Sequence, residues 1–160
     1  MATREIARGD KVADGLDVII VDDDPNICQT LEDIITRFYV WGEVLSFTDV
    51  DGAVSYCLNR NIGIAVFVVD VFLGEKSGFH FLDLIDEVFP SAHEDAVMIT
   101  GYASDDVVNT CVASGISHLL EKPVKTYALQ LAIRAVVEKY LEFAKKLMNN
   151  PAFADAVASL

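Results

Sequence analysis

Val18-Ile19-Ile20-Val21-Asp22-Asp23-Asp24-Pro25 is the stretch on which the fold turns. Four β-branched residues in a row suit a pleated, fully covered strand. The run then stops at three acids and a proline. Asp24 is a good helix N-cap and Pro25 suits the first helical position. Beyond it Ile27, Leu31, Ile34, Ile35 and Phe38 recur at helical spacing, so the segment reads as strand, tight turn, helix. The same alternation repeats outward. Val44–Phe47 precedes a helix carrying Val50, Ala53, Val54, Cys57 and Leu58. The unbroken run Ile64–Val69 ends at Asp70, and a loop leads to Gly78. A helix with Phe81, Leu82, Ile85, Val88 and Phe89 inward then runs up to Pro90. Ala96–Ile99 ends at Thr100, and Ser104, Asp105 and Asp106 cap and charge the next helix start. His118–Leu120 ends at Lys122-Pro123, and a last helix runs to about Asn149 with Leu129, Ile133, Val136, Val137, Tyr140, Leu141 and Ala144 on one face.

Five β/α units with short connections predict an α/β domain, a doubly wound five-stranded parallel sheet with helices on both faces. The expected organisation is an N-terminal extension over 1–15, one domain over 16–148 and a C-terminal tail over 149–160. Of 160 residues 52% are hydrophobic, enough for a core without staples. A formal net charge of −13 opposes both nucleic-acid backbones and anionic membrane surfaces. The three cysteines lie in apolar segments at wide spacing, which predicts buried free thiols. The start lacks an apolar signal region and no run approaches a membrane span, so a cytoplasmic domain is expected.

In an open parallel sheet the ligand crevice lies outside the carboxyl ends of the strands. The residues there are Asp22-Asp23-Asp24, Asp70, Thr100 and Lys122. Carboxylates sharing one crevice repel one another unless a cation offsets them. An all-oxygen set suits Mg²⁺, or Mn²⁺, better than zinc. Adding an ammonium and a hydroxyl makes a cage for a phosphoryl group, with one carboxylate as nucleophile.

The stretches Val-Asp-Asp-Asp-Pro at 21–25, Val-Val-Asp-Val-Phe-Leu-Gly at 68–74, Ile-Thr-Gly-Tyr-Ala at 99–103 and Glu-Lys-Pro at 121–123 resemble those of a response-regulator receiver domain, the phosphoacceptor module of two-component signalling. That resemblance implies a flavodoxin-like sheet of order 2-1-3-4-5. It implies Asp70 as the phosphoacceptor and Mg²⁺ held by Asp22, Asp23, Asp70 and the backbone carbonyl of Phe72, Asp23 binding directly and Asp22 mostly through water. Thr100 and Lys122 are implied to engage the phosphoryl oxygens, with a cis Lys122-Pro123 bond. The implied partners are a sensor histidine kinase or phosphotransfer protein and a downstream protein target. A homodimer surface is implied on the fourth helix, fifth strand and fifth helix. The implied role is signalling rather than enzymatic, and output by protein contact is expected.

Three departures from the family pattern stand out. Leu119 occupies the usual aromatic switch position. Gly74 replaces a common proline, which predicts a looser loop. Phe72 and Tyr102 flank the site where polar groups are frequent, which predicts poor water access and slow autodephosphorylation. Rival readings are a phospho-independent interaction module, a receiver cut from a larger hybrid kinase or regulator, and an aspartyl phosphatase. The last is disfavoured because its general-acid position, two residues after the nucleophile, is Phe72. His80, His93 and His118 show no ligand spacing, and Glu121 reads as a solvated neighbour of the site. Phe143, Leu147, Met148 and Phe153 exceed the needs of the core, and Trp41 is the natural fluorescence reporter.

Overall fold

The computed structural model describes residues 15–159, so all of the expected N-terminal extension but Gly15, and Leu160, lie outside the described residues. The order is β1 (Val18–Val21), α1 (Pro25–Phe38), β2 (Val44–Phe47), α2 (Val50–Leu58), β3 (Val66–Asp70), β4 (Phe72–Leu73), β5 (Lys76–Ser77), α3 (Gly78–Leu84), β6 (Ala96–Thr100), α4 (Asp105–Ala113), β7 (His118–Glu121), α5 (Thr126–Asn149) and α6 (Pro151–Ala158). Five strands form one parallel sheet in the order β2-β1-β3-β6-β7. With β4 and β5 set aside as a separate two-residue ladder, this is the expected 2-1-3-4-5 winding.

Period-two alternation divides the sheet between two apolar layers. Val18, Ile20, Val66, Val68, Val97 and Ile99 pack with α1 and α5. Ile19, Val21, Phe67, Val69, Ala96 and Met98 face α2, α3 and α4. Phe67 anchors the second layer, edge-on to Phe81 at 6.1 Å and to Phe89 at 5.3 Å. Truncating so buried a ring costs about 3–5 kcal/mol. Cys28, Cys57 and Cys111 are free and buried, as expected, and burial raises the Cys28 thiol to about 11. Among the described residues no helix is long and apolar enough to cross a membrane.

Several expectations need correction. The 64–69 run enters the sheet only at Val66, and Ile64 is exposed. Helix α3 ends at Leu84, and turns carry Ile85 and Phe89 inward instead. Their i, i+4 spacing survives because Phe89 N–H still donates to the Ile85 carbonyl at 2.9 Å. The loop after Asp70 is not open coil. Phe72 pairs with Ser77 and Leu73 with Lys76, and Gly74 closes the turn at φ +66°. Proline is confined to negative φ, so this turn demands the glycine found there. The tail is also structured. Asn150 accepts from Phe153 N–H, Pro151 takes the first turn, and α6 brings Phe153 edge-on to Phe143 at 6.0 Å. Trp41 lies at the amino ends of the strands, where its carbonyl accepts from Leu16 N–H, so it reports on the wrong end of the sheet.

Candidate functional site

The four strand ends named from sequence meet at the carboxyl rim of the sheet. The turn after β1 is fixed by two side-chain caps: Asp22 Oδ1 accepts from Asp24 N–H at 2.9 Å, and Asp24 Oδ1 from Asn26 N–H at 2.8 Å. Asp24 is thereby spent on the helix start, leaving Asp22 and Asp23 for the crevice. Asp70 is the last residue of β3 and is held from both sides. Its Oδ1 accepts from Phe72 N–H at 3.1 Å, and its Oδ2 from Lys122 Nζ at 2.7 Å. Gly78 sits close beneath: an added Cβ there would lie 2.3 Å from the Asp70 carbonyl oxygen. Only glycine lets α3 begin so near the strand end.

Carboxylate oxygens of Asp22, Asp23 and Asp70 all lie within 4.8 Å of one another. Asp22 and Asp70 are buried and Asp23 is exposed. At an effective dielectric near 20, two such charges repel by about 3 kcal/mol. One lysine answers two of them, since Lys122 Nζ also stands 3.2 Å from Asp22 Oδ2. That second contact is ionic without hydrogen-bond alignment, and Asp22 Oδ2 has no hydrogen-bond partner although buried. Burial, with the Asp70 charge adding to it, raises the Asp22 carboxyl above its usual range despite Asp24 N–H and Lys122. For Lys122, burial acts downward, but the hydrogen bond to Asp70 and the charges of Asp22 and Asp70 win and raise it. The carboxylate oxygens of Asp22, Asp23 and Asp70 make an all-oxygen donor set that fits a hard divalent cation.

Thr100 is fully buried at the end of β6, and its hydroxyl is engaged by the loop that follows. It donates to the Tyr102 carbonyl at 3.1 Å and accepts from Tyr102 N–H at 3.4 Å. The Lys122-Pro123 bond is cis, as expected, and Lys122 N–H donates to the Thr100 carbonyl at 2.8 Å. Leu119 is half-buried against the α4-side layer. Phe72 and Tyr102 flank the rim and are 61% and 73% exposed. The histidines stand apart from the cluster: His93 pairs with Asp83 at 2.9 Å, and His118 begins β7 at the far end.

Sequence reasoning missed one residue here. Glu121 is not simply solvated, because its Oε2 accepts from Ala103 N–H at 3.0 Å across the strand gap. The register signal exists, since Glu121 is paired with Thr100, but it appears only once β6 and β7 are aligned.

Residues 18–134 match the family described as the response regulator receiver domain. Among curated proteins, the heme response regulator HssR of Staphylococcus saprophyticus is 28% identical over 76% of this chain and 51% of its own length. The transcriptional regulatory protein CitT of Halalkalibacterium halodurans is 26% identical over 81% of this chain and 55% of its own. The chain thus spans about half the length of the curated relatives it matches. Among solved structures, a beryllofluoride-activated NtrC4 receiver domain dimer is 26% identical, with a TM-score of 0.66 over 78% of this chain and 98% of that one. A receiver domain from Clostridium thermocellum, 21% identical, shares the fold with a TM-score of 0.69 over 80% and 98%.

Proposed function

The chain belongs to the response regulator receiver domain family, and from that premise we propose that Asp70 accepts a phosphoryl group from a sensor histidine kinase or phosphotransfer protein. The observation that carries this reading is the imbalance at the rim, where the carboxylates of Asp22, Asp23 and Asp70 cluster and the ammonium of Lys122 pairs with two of them, Asp22 and Asp70. Such a set tolerates an added cation and gains from one.

An Asp70 carboxylate oxygen attacks phosphorus in line, the bond from phosphorus to the donor's imidazole nitrogen breaks, and the imidazole leaves with the electron pair. Asp22, Asp23, Asp70 and the carbonyl of Phe72 would hold Mg²⁺, or Mn²⁺ in its place. When bound, Mg²⁺ offsets charge on the transferring oxygens. Lys122 Nζ, already 2.7 Å from Asp70, is placed to follow the charge onto a phosphoryl oxygen. The Thr100 hydroxyl gives up the Tyr102 carbonyl for another phosphoryl oxygen, and the 101–103 loop moves with it. This biases a two-state element and changes the face made by α4, β7 and α5, where Val108, Val112, Tyr127 and Leu131 are exposed. A downstream protein, or a second copy of the chain, reads that face. The ring of Phe72 offers water no polar orienting group, which supports slow autodephosphorylation.

Acetyl phosphate with Mg²⁺, followed by intact mass, tests the assignment. One phosphoryl addition is expected on the wild type and none on Asp70→Asn. Equal addition to both removes Asp70 from the role. No addition to either removes the phosphoacceptor reading.

A further inference from the structure

The loop Gly101-Tyr102-Ala103 joins β6 to α4 and is tied down by two side chains. Thr100 Oγ1 holds both the N–H and the carbonyl of Tyr102. Glu121 Oε2 holds the N–H of Ala103, at the entrance to the Ser104 cap of α4. The placement follows from the pleat. Leu119 packs into the α4-side layer and Leu120 into the α5-side layer, so Glu121 projects on the α4 side while Lys122 turns to the carboxylates. Thr100 and Glu121 are direct partners in the register, so one pair of facing residues carries both tethers.

We propose that Glu121 is a positioning residue for the switch: a carboxylate latch that holds the 101–103 loop where the Thr100 hydroxyl is engaged by Tyr102. The inference rests on the phosphoacceptor reading and names its regulation. When the Thr100 hydroxyl turns to a phosphoryl oxygen, Tyr102 loses its tether, and Glu121 to Ala103 is what still opposes movement of the loop. The latch therefore sets the fraction of molecules in which the site is competent before any ligand arrives, and apparent affinity scales with that fraction. Its charge strengthens the contact and its exposure limits it, so one latch hydrogen bond is worth about a three- to tenfold change in that fraction.

The test is calorimetric titration of the full chain with beryllofluoride in the presence of Mg²⁺, alongside hydrogen exchange of the Ala103 amide without ligand. Glu121→Ala is expected to bind beryllofluoride about three- to tenfold more tightly than wild type and to exchange the Ala103 amide faster. Glu121→Gln keeps an amide oxygen to accept the bond and is expected to fall between the two. A purely structural role for Glu121 predicts the opposite, a lower melting temperature with equal or weaker binding in Glu121→Ala. That outcome overturns the latch. A wild type that takes up no beryllofluoride overturns the phosphoacceptor reading and the latch with it. A wild type that binds while Glu121→Ala binds no better overturns the latch alone.

Discussion

The two rims of the sheet use the same chemistry to opposite ends. At the amino rim two acids, the partly buried Asp17 and the buried Asp95, each have their own partners. Asp17 pairs with Arg60 at 3.0 Å and accepts from Glu43 N–H at 2.8 Å, while Arg60 also donates to the Tyr56 hydroxyl at 3.0 Å. Asp95, 1% exposed, takes Lys139 Nζ on one oxygen and the Tyr140 hydroxyl on the other. At the carboxyl rim three acids cluster, one lysine pairs with only two of them, Asp22 and Asp70, and a buried Asp22 oxygen is left without a hydrogen bond. Matched acids hold α2 and α5 to the sheet. Unmatched ones cost stability, a cost that the cation and phosphoryl group of the proposed function would offset. The contrast separates a structural carboxylate from a functional one by its partners rather than by its burial, since Asp22 and Asp95 are equally buried.

The contrast breaks most visibly at Asp95. Replacing it with alanine strands the Tyr140 hydroxyl and frees Lys139, which is half exposed and resolvates. A loss of about 2–3 kcal/mol is expected by denaturant unfolding. Phosphoryl uptake from acetyl phosphate should be unchanged. At the other rim Asp22→Asn should do the reverse. Relieving the repulsion at a carboxyl whose ionised form the fold disfavours should stabilise the metal-free protein by about 1 kcal/mol. It should also weaken a stabilisation by Mg²⁺ that is expected of the wild type, about 1.4 kcal/mol at ten times the dissociation constant. A destabilised Asp22→Asn would mean that the two rims are alike.

The smallest effect concerns His118, half-buried at the amino end of β7. Burial lowers it below 6.5, so the folded state binds its proton less readily than the unfolded chain does. Stability from this group is present above pH 6.5 and is lost as pH falls from there through the folded value. His118→Gln should flatten that part of the melting curve against pH. An unchanged slope would place its source elsewhere on the surface.

The parallel sheet was legible because its strands are dense β-branched runs that stop at polar residues. The rim was legible because strand ends converge by topology. Asp22, Asp23, Asp70, Thr100 and Lys122 needed no side-chain geometry to be grouped. What escaped depends on register or on one side chain reaching across elements. Asp95 and Lys139 lie on different elements 44 residues apart and meet only once α5 is laid across the foot of β6. Glu121 is an exposed acid in sequence and a tether only beside Ala103. The orientation of the Thr100 hydroxyl toward Tyr102 has no sequence signal. The pair Asn150-Pro151 that ends α5 is also an N-cap followed by proline, and so starts α6.

In the proposed function the carboxylate of Asp70 takes a phosphoryl group at the unmatched rim. Borohydride reduction after acetyl phosphate and Mg²⁺ treatment tests it at the atom concerned, because an aspartyl phosphate is reduced to homoserine. Peptide mapping should find homoserine at position 70, and there alone, in the wild type. Homoserine at another aspartate, or at none while the phosphoryl mass is present, would contradict the account.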